Sequence, residues 1–199
     1  GGESVSDILP ADVQKIATSL RYFAVEEIKS ARRLLRKMDR TFPIDDSQFF
    51  IINKHTKESE LMKILLILIK GNNIGIISEA GCPGVADPGA LAVDYAHKNN
   101  IEVVPLVGPS SILMALMASG FNGQKFCFHG YIPIDKKEAA KTLKQLESES
   151  IQKRQTQIFI ETPFRNNQLF KTITETCHPE TMLCVAKDVS GKDAYIMSI

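Results

Sequence analysis

No C-x-x-C pair occurs in this chain, and none of its four cysteines, Cys82, Cys127, Cys177 and Cys184, has a histidine at ligand spacing. A zinc site and a disulfide framework are thereby excluded, and no other metal site is expected. Cys127 and Cys184 lie inside apolar runs and read as buried, reduced thiols, which points to a reducing, cytoplasmic setting. Charge of one sign is lacking too. The net charge of +1 draws neither nucleic acid nor membrane to the surface as a whole, so a polyanion would need a local basic patch. Long apolar runs are missing: the longest, Ile64–Ile69, cannot span a bilayer, and no signal peptide is visible. There is no repeat and no low-complexity segment. Gly1-Gly2 opens abruptly and the last residues stop inside an apolar run, so both ends read as incomplete.

What is present is ordinary for a soluble globular protein: 44% hydrophobic and 24% charged residues. The 199 residues suffice for one large domain or two small ones, with a core that needs no disulfides. Helical periodicity predicts helices over Pro10–Leu20, Glu27–Met38, Glu58–Ile69, Leu91–Lys98, Ser110–Ser119, Lys136–Glu149 and Asn167–Thr176. Short β-branched or aromatic runs predict strands over Tyr22–Val25, Phe49–Ile52, Ile74–Ser78, Ile101–Leu106, Phe126–His129, Ile158–Glu161 and Met182–Ala186. This alternation implies an α/β fold with largely parallel pairing in the first half. The Gly/Asn-rich turn Phe121–Lys125 marks a domain boundary, giving domains 1–121 and 122–199.

In open α/β sheets ligands bind beyond the carboxyl ends of strands. Three such junctions carry unusual clusters. The first runs from Ser78 to Gly89 and holds three glycines, two prolines and the acids Glu79 and Asp87. Glycines permit close backbone approach, prolines stiffen the path, and the carboxylates can accept from ribose hydroxyls or an amino group. It is neither a Walker A loop nor a G-x-G-x-x-G fingerprint. It reads either as a cradle for an adenosine-like ligand or as a tight connection with Asp87 capping the next helix. The second is Pro105-Leu106-Val107-Gly108-Pro109-Ser110-Ser111. Its serines cap a helix, worth about 1 kcal/mol, or its helix amides face a ligand. The third is Glu161-Thr162-Pro163-Phe164-Arg165, which either anchors a polar group or closes a structural bridge between Glu161 and Arg165.

Lys29, Arg32, Arg33, Arg36 and Arg40 share one helix face, beside Lys37. They form a solvated basic face or a contact for RNA phosphates. His55, next to Lys54 just past a strand end, is a base, a substrate contact or a plain loop residue. His97, His129 and His178 are isolated. No Ser/His/Asp or Cys/His arrangement is present.

Taken together and in order, E-A-G-C-P-G-V-A-D-P-G, V-V-P-L-V-G-P-S-S, F-x-G-Y-I-P and E-T-P-F-R resemble the tetrapyrrole methylase superfamily. Within it they are most similar to the ribosomal RNA small-subunit methyltransferase I branch, whose members methylate a cytidine ribose 2′-oxygen. The match runs over roughly Ile74 to Arg165 and extends weakly to the acidic turn Val25-Glu26-Glu27. The resemblance implies a methyltransferase of two α/β domains, usually a homodimer, with S-adenosylmethionine in the cleft between them. It implies that Glu79, Ala80, Gly81, Asp87, Ser110, Ser111 and Gly130 line that cleft. It also implies ribosomal RNA or the small ribosomal subunit as partner, with Lys29, Arg32, Arg33, Arg36 and Arg165 as substrate contacts. A first strand and a Pro/Gly loop are expected ahead of this sequence, with Gly1-Gly2-Glu3-Ser4 as the loop's remnant. The chain differs from the branch in having Cys82 where Thr is usual and Glu79 where Asp is common. Methylation of a tetrapyrrole or other small molecule, and a non-catalytic adenosyl-ligand binding protein, are the alternative functions. Catalysis is expected to be mainly positional; Lys54, His55 and Glu161 are the candidate helpers in deprotonating a hydroxyl, with Asp87 a fourth.

Overall fold

The computed structural model describes residues 5–199, so the expected loop remnant Gly1–Ser4 lies outside the described residues. The chain divides into two compact units, Gly1–Ser110 and Ser111–Ile199. The first unit opens with a 3-10 turn, Val5–Asp7. It continues through α1 (Ala11–Ser19), β1 (Tyr22–Val25), α2 (Ile28–Met38), β2 (Gln48–Ile51), α3 (Glu58–Ile69), β3 (Ile74–Ile77) and α4 (Gly89–Lys98). The strands form one parallel sheet in the order β2-β1-β3, with Val25 level with both Ile51 and Ile77.

Each strand's alternation explains the layers. Phe23 and Val25 of β1, with Phe49 and Ile77 beside them, pack against Ala17 of α1 and Ala31 and Leu35 of α2. Ala24 points the other way, into a cluster with Leu61 and Ile64 of α3 and Ala92 and Tyr95 of α4. Phe23 stacks on Phe49 with centroids 5.4 Å apart and meets Phe42 edge-on at 6.0 Å. Gly75 makes room for this aromatic group, since a Cβ there would stand 2.9 Å from Leu20 Cδ1 and 3.2 Å from the Phe23 ring. Helix starts follow local chemistry: Glu27 accepts from the Lys29 and Ser30 amides at 2.8 and 2.7 Å and begins α2. Glu60 reaches back to the Lys57 amide at 3.0 Å and begins α3.

The second unit contains α5 (Ser111–Ser119), β4 (Phe126–Tyr131), α6 (Lys136–Lys153), β5 (Thr156–Ile160), α7 (Asn166–Thr176), β6 (Cys184–Lys187) and β7 (Tyr195–Ser198). β4 and β5 pair in parallel, with an irregularity between Phe128 and Tyr131 at Gly130. Helices α6 and α7 bury Ala139, Leu143, Leu146 and Leu169 around Ile132. β6 and β7 form an antiparallel ribbon. Helix α5 is tied to that ribbon by the Ser198 hydroxyl, which donates to Ser119 O at 2.8 Å. For this reason α5 groups with the second unit, and the division falls between residues 110 and 111, ahead of the turn at Phe121.

Three expectations are corrected. Ile101–Leu106 forms no strand: no strand pairs with it among the described residues, and Val104 and Leu106 are 65% and 44% exposed. β-Branched composition alone does not make a strand without a neighbouring ladder. Strand β7 was not expected, because Tyr195–Ser198 sits exposed on a two-stranded ribbon and lacks the alternation that marks a half-buried strand. Cys127 and Cys184 are half-buried, not buried, and all four thiols are free.

Candidate functional site

The strand order carries the argument. From β1 the chain crosses to β2 on one side; from β2 it crosses back over β1 to β3 on the other. The order therefore reverses between β1 and β3, the place at the carboxyl ends of the strands where open α/β sheets bind ligands. Glu26 follows β1 at this edge, and the loop 78–88 follows β3 beside it. Lys54 and His55 follow β2 at the same edge of the sheet.

The loop is held from within. Asp87 Oδ1 accepts from the Gly84 amide at 2.9 Å and from the Gly89 amide at 2.7 Å. One carboxylate oxygen thus closes the loop and satisfies the first amide of α4, the capping role expected for this residue. Asp87 Oδ2 is buried and has no hydrogen-bond partner among the described residues. Gly89 must lack a side chain here: a Cβ would lie 2.6 Å from Asp87 Oδ1 and 2.9 Å from Ile76 Cγ2. The Ser78 hydroxyl donates to Gly81 O at 3.0 Å. Gly81 turns through a positive φ of 73°, and nothing lies within 4 Å of where its Cβ would be. Glu79, Ala80 and Gly81 are exposed, so this stretch offers open backbone and one free carboxylate.

Cys82 joins the first cluster to the second. Its thiol lies 3.3 Å from Pro109 O and 3.6 Å from Gly108 O, within donating reach of both. A threonine hydroxyl, the usual residue in the resembling branch, could donate to the same carbonyls. Ser110 closes the first unit as a half-buried residue; Ser111 begins α5, in the second unit. Gly130 also lies in the second unit, at the irregularity of β4, with a φ of 67° and open space around it.

The third cluster resolves into a bridge. The Arg165 guanidinium donates to Ile132 O at 2.9 Å and to Pro133 O at 3.2 Å. Its Nη2 also lies 2.9 Å from Glu161 Oε2, an ion pair without hydrogen-bond alignment, and the Glu161 side chain is only 6% exposed. Glu161 Oε1 accepts from the Thr162 amide at 2.7 Å. Both side chains are occupied in joining the end of β5 to the end of β4.

On α2, Lys29, Arg32, Arg33 and Arg36 are exposed; Arg40, expected on the same helix face, lies past its end at Met38 and is exposed in the following turn. Arg32, Arg33 and Arg36 line a shallow depression of about 340 Å³ with Ile44 and Asp45. Arg32 pairs with Asp45 at 3.3 Å, and Arg36 donates to Arg40 O at 2.6 Å. Arg33 carries its charge to solvent. Lys54 and His55 are exposed in a turn where the His55 amide donates to Asn53 Oδ1 at 2.8 Å. One residue to which sequence reasoning gave no role is Glu26, whose carboxyl accepts from the Glu79 amide at 2.9 Å. Its signals in the sequence were its place at the end of a predicted strand and the weak match of Val25-Glu26-Glu27 to the branch's acidic turn.

No family model matches the chain. Curated relatives do. The chain is 34% identical over 145 residues to ribosomal RNA small subunit methyltransferase I of Buchnera aphidicola subsp. Schizaphis graminum, covering 73% of this chain and 50% of the relative. It is 35% identical over 158 residues to the protein of the same name from Bacillus subtilis, covering 79% and 51%. The Synechocystis protein of that name is 30% identical over 190 residues, covering 94% and 63%. Among solved structures, the methyltransferase CobJ superposes with a TM-score of 0.63 at 16% identity, covering 100% of this chain and 82% of that one. The cobalamin biosynthetic enzyme cobalt precorrin-4 methyltransferase, CbiF, gives 0.61 at 14%, covering 99% and 81%.

The chain shares the fold of the methyltransferases CobJ and CbiF. In sequence it is similar to proteins named ribosomal RNA small subunit methyltransferase I. It spans about half the length of the curated relatives it matches. Among the described residues, no helix is long and apolar enough to cross a membrane, and no group of three or more His, Cys, Asp or Glu could hold a metal ion.

Proposed function

We propose that this chain is part of an S-adenosylmethionine-dependent methyltransferase that methylates a cytidine ribose 2′-oxygen in small-subunit ribosomal RNA. The observation that carries the reading is the Ser78–Gly89 loop, placed at the β1/β3 reversal with exposed Glu79, Ala80 and Gly81 and fastened behind by Asp87. The names of the sequence relatives support the acceptor. Open backbone at Gly81 and the free Glu79 carboxylate suit a ribose and an adenine edge. Bound there, S-adenosylmethionine would supply a methyl group already activated by its sulfonium. The chain's own task is to hold the acceptor oxygen in line and to shed its proton. Asp87 acts as a fastener of the loop, while Glu79, Ala80 and Gly81 touch the donor, joined by Ser110, Ser111 and Gly130.

Lys29, Arg32, Arg33 and Arg36 present the basic face for RNA phosphates, and among the described residues Arg33 forms no ion pair, whereas Arg32 pairs with Asp45. We place the domain boundary of the whole protein at residues 121/122, and propose a cytoplasmic homodimer. Glu161 and Arg165 are taken up by their mutual bridge, so Lys54 and His55 are the exposed helpers at the sheet edge. Catalysis remains mainly positional in this reading.

The test is transfer of labelled methyl to small-subunit ribosomal RNA from a strain deleted for the gene, using the full-length protein. Label should enter a cytidine 2′-O-methyl, and His55→Ala should lower the rate without collapsing the pH–rate profile. Rising salt should weaken RNA binding steeply, and Arg33→Glu should lower the salt slope by about 1. RNA from the deletion strain that already carries every ribose methyl mark would remove the acceptor assignment.

A further inference from the structure

Glu26 stands one residue past β1, outside the loop, yet both ends of the loop meet it. At the start, its Oε1 accepts the Glu79 amide at 2.9 Å. Near the end, its carboxyl faces the Asp87 carboxyl. Asp87 has one oxygen engaged by the Gly84 and Gly89 amides. Its other oxygen is buried, and among the described residues no N–H or hydroxyl serves it. Two facing carboxyls can bond only if one keeps a proton, since two ionised carboxylates at that distance repel.

We propose that Glu26 is a positioning residue for the donor loop, fastening its start through the Glu79 amide and its end through a proton that Glu26 donates to Asp87. This rests on the reading of Ser78–Gly89 as the donor-binding loop. The tie runs across the strand reversal, from the β1 end to the β3 loop. It therefore anchors the loop to the neighbouring strand end as well as shaping it.

The surroundings favour the protonated acid. The Glu79 amide holds the Glu26 carboxyl down, but burial, the Asp87 hydrogen bond and the negative charges of Asp87 and Glu79 outweigh it. The net result is a pKa above the ordinary carboxylate value. Glu27, with Lys29 beside it, faces the start of α2. On α4, Asp94 and Lys98 pair with each other. After β2, Lys54 and His55 stand exposed. A raised folded value means the tie is fully present below the unfolded carboxyl pKa, about 4.5, and is lost as pH rises through the raised value.

The experiment is calorimetric titration of the full-length protein with S-adenosylmethionine from about pH 4.5 to about pH 8, together with hydrogen exchange of the Gly84 and Gly89 amides. Wild type should bind more weakly as pH rises. Glu26→Ala should bind about tenfold more weakly at the acid end and lose the slope. Glu26→Gln keeps an oxygen for the Glu79 amide and always donates to Asp87. It should restore acid-end affinity and hold it flat across the range, which a merely structural substitution would not do. Exchange at Gly84 and Gly89 should follow the same pattern without ligand. A Glu26→Gln protein that keeps the wild-type slope, or a Glu26→Ala protein with wild-type affinity and protection, overturns the proposal. If wild type binds no S-adenosylmethionine at any pH, the donor reading fails instead, and the exchange rates alone decide for or against the tie.

Discussion

After β3 the chain runs through residues 78–88 before α4 begins; after β5 it needs only residues 161–165 before α7. Each connection carries acids and at least one proline, and each follows a parallel strand. In the first, the amides of Gly84 and Gly89 are drawn inward to Asp87 and the stretch Glu79–Gly81 is left open. In the second, the arginine is drawn inward, onto Ile132 O, Pro133 O and Glu161. The difference lies in what satisfies the buried charge. Where backbone amides do so, side chains and backbone on the outside stay available to a ligand. Where a long cation does so, the charged groups that looked like ligands are consumed in holding strands together.

The comparison can be broken from either side. The largest effect is expected at Arg165→Ala, which strands the Glu161 carboxylate and two carbonyls. Urea unfolding should show a loss of about 3 kcal/mol, and donor affinity per folded molecule should hold. Full stability with lost donor or RNA affinity would make this turn a ligand anchor after all. Next comes Asp87→Ala, which frees the Gly84 and Gly89 amides. It should cost about 2 kcal/mol and weaken S-adenosylmethionine binding about tenfold or more; unchanged calorimetric affinity would take the loop out of the site.

Smaller effects sharpen the contrast. Ala86 sits at a positive φ of 54° inside the first connection, a conformation that a Cβ disfavours. Ala86→Gly should raise thermal stability by about 0.5 to 1 kcal/mol, and a loss would show that the strain is absent. The smallest expected effect concerns acid. Glu147 of α6 accepts from the Thr181 hydroxyl and the His178 amide, and the Thr181 bond above all holds its pKa below the ordinary value despite some burial. Its contribution is present above the unfolded pKa and lost as pH falls through the folded one. Glu26 has the opposite sign. Glu147→Gln should flatten the acid limb of the Tm–pH curve, whereas Glu26→Gln should flatten the rise-side loss; the reverse assignment would show that the two carboxyls have been misread.

Much of this was legible locally. Tyr22–Val25 and Glu58–Ile69 form the elements their patterns predict, because a strand of buried aromatics and an apolar-faced helix with Glu60 at its start are specified by neighbours in sequence. Ile101–Leu106 failed because a strand needs a partner that lies elsewhere in the chain. The Ser78–Gly89 cluster was visible as a dense run of Gly, Pro and acid. Glu26 was visible only as part of an acidic turn; its role was not, since an acid at a strand end shows no partner until β3 brings Glu79 and Asp87 to it.

The sequence by itself determined the α/β alternation, the Gly/Pro loop and the basic face of α2. These rest on periodicity, on residues with special backbone freedom and on runs of like charge, all of them short-range properties. Tertiary structure decided which charged residues are spent on the fold and which remain available. That choice depends on distances between groups far apart in the chain: 53 positions from Glu26 to Glu79, and 33 from Ile132 to Arg165. A carboxylate or guanidinium has the same appearance in sequence in either case, and only its partners in space fix its free energy and hence its role.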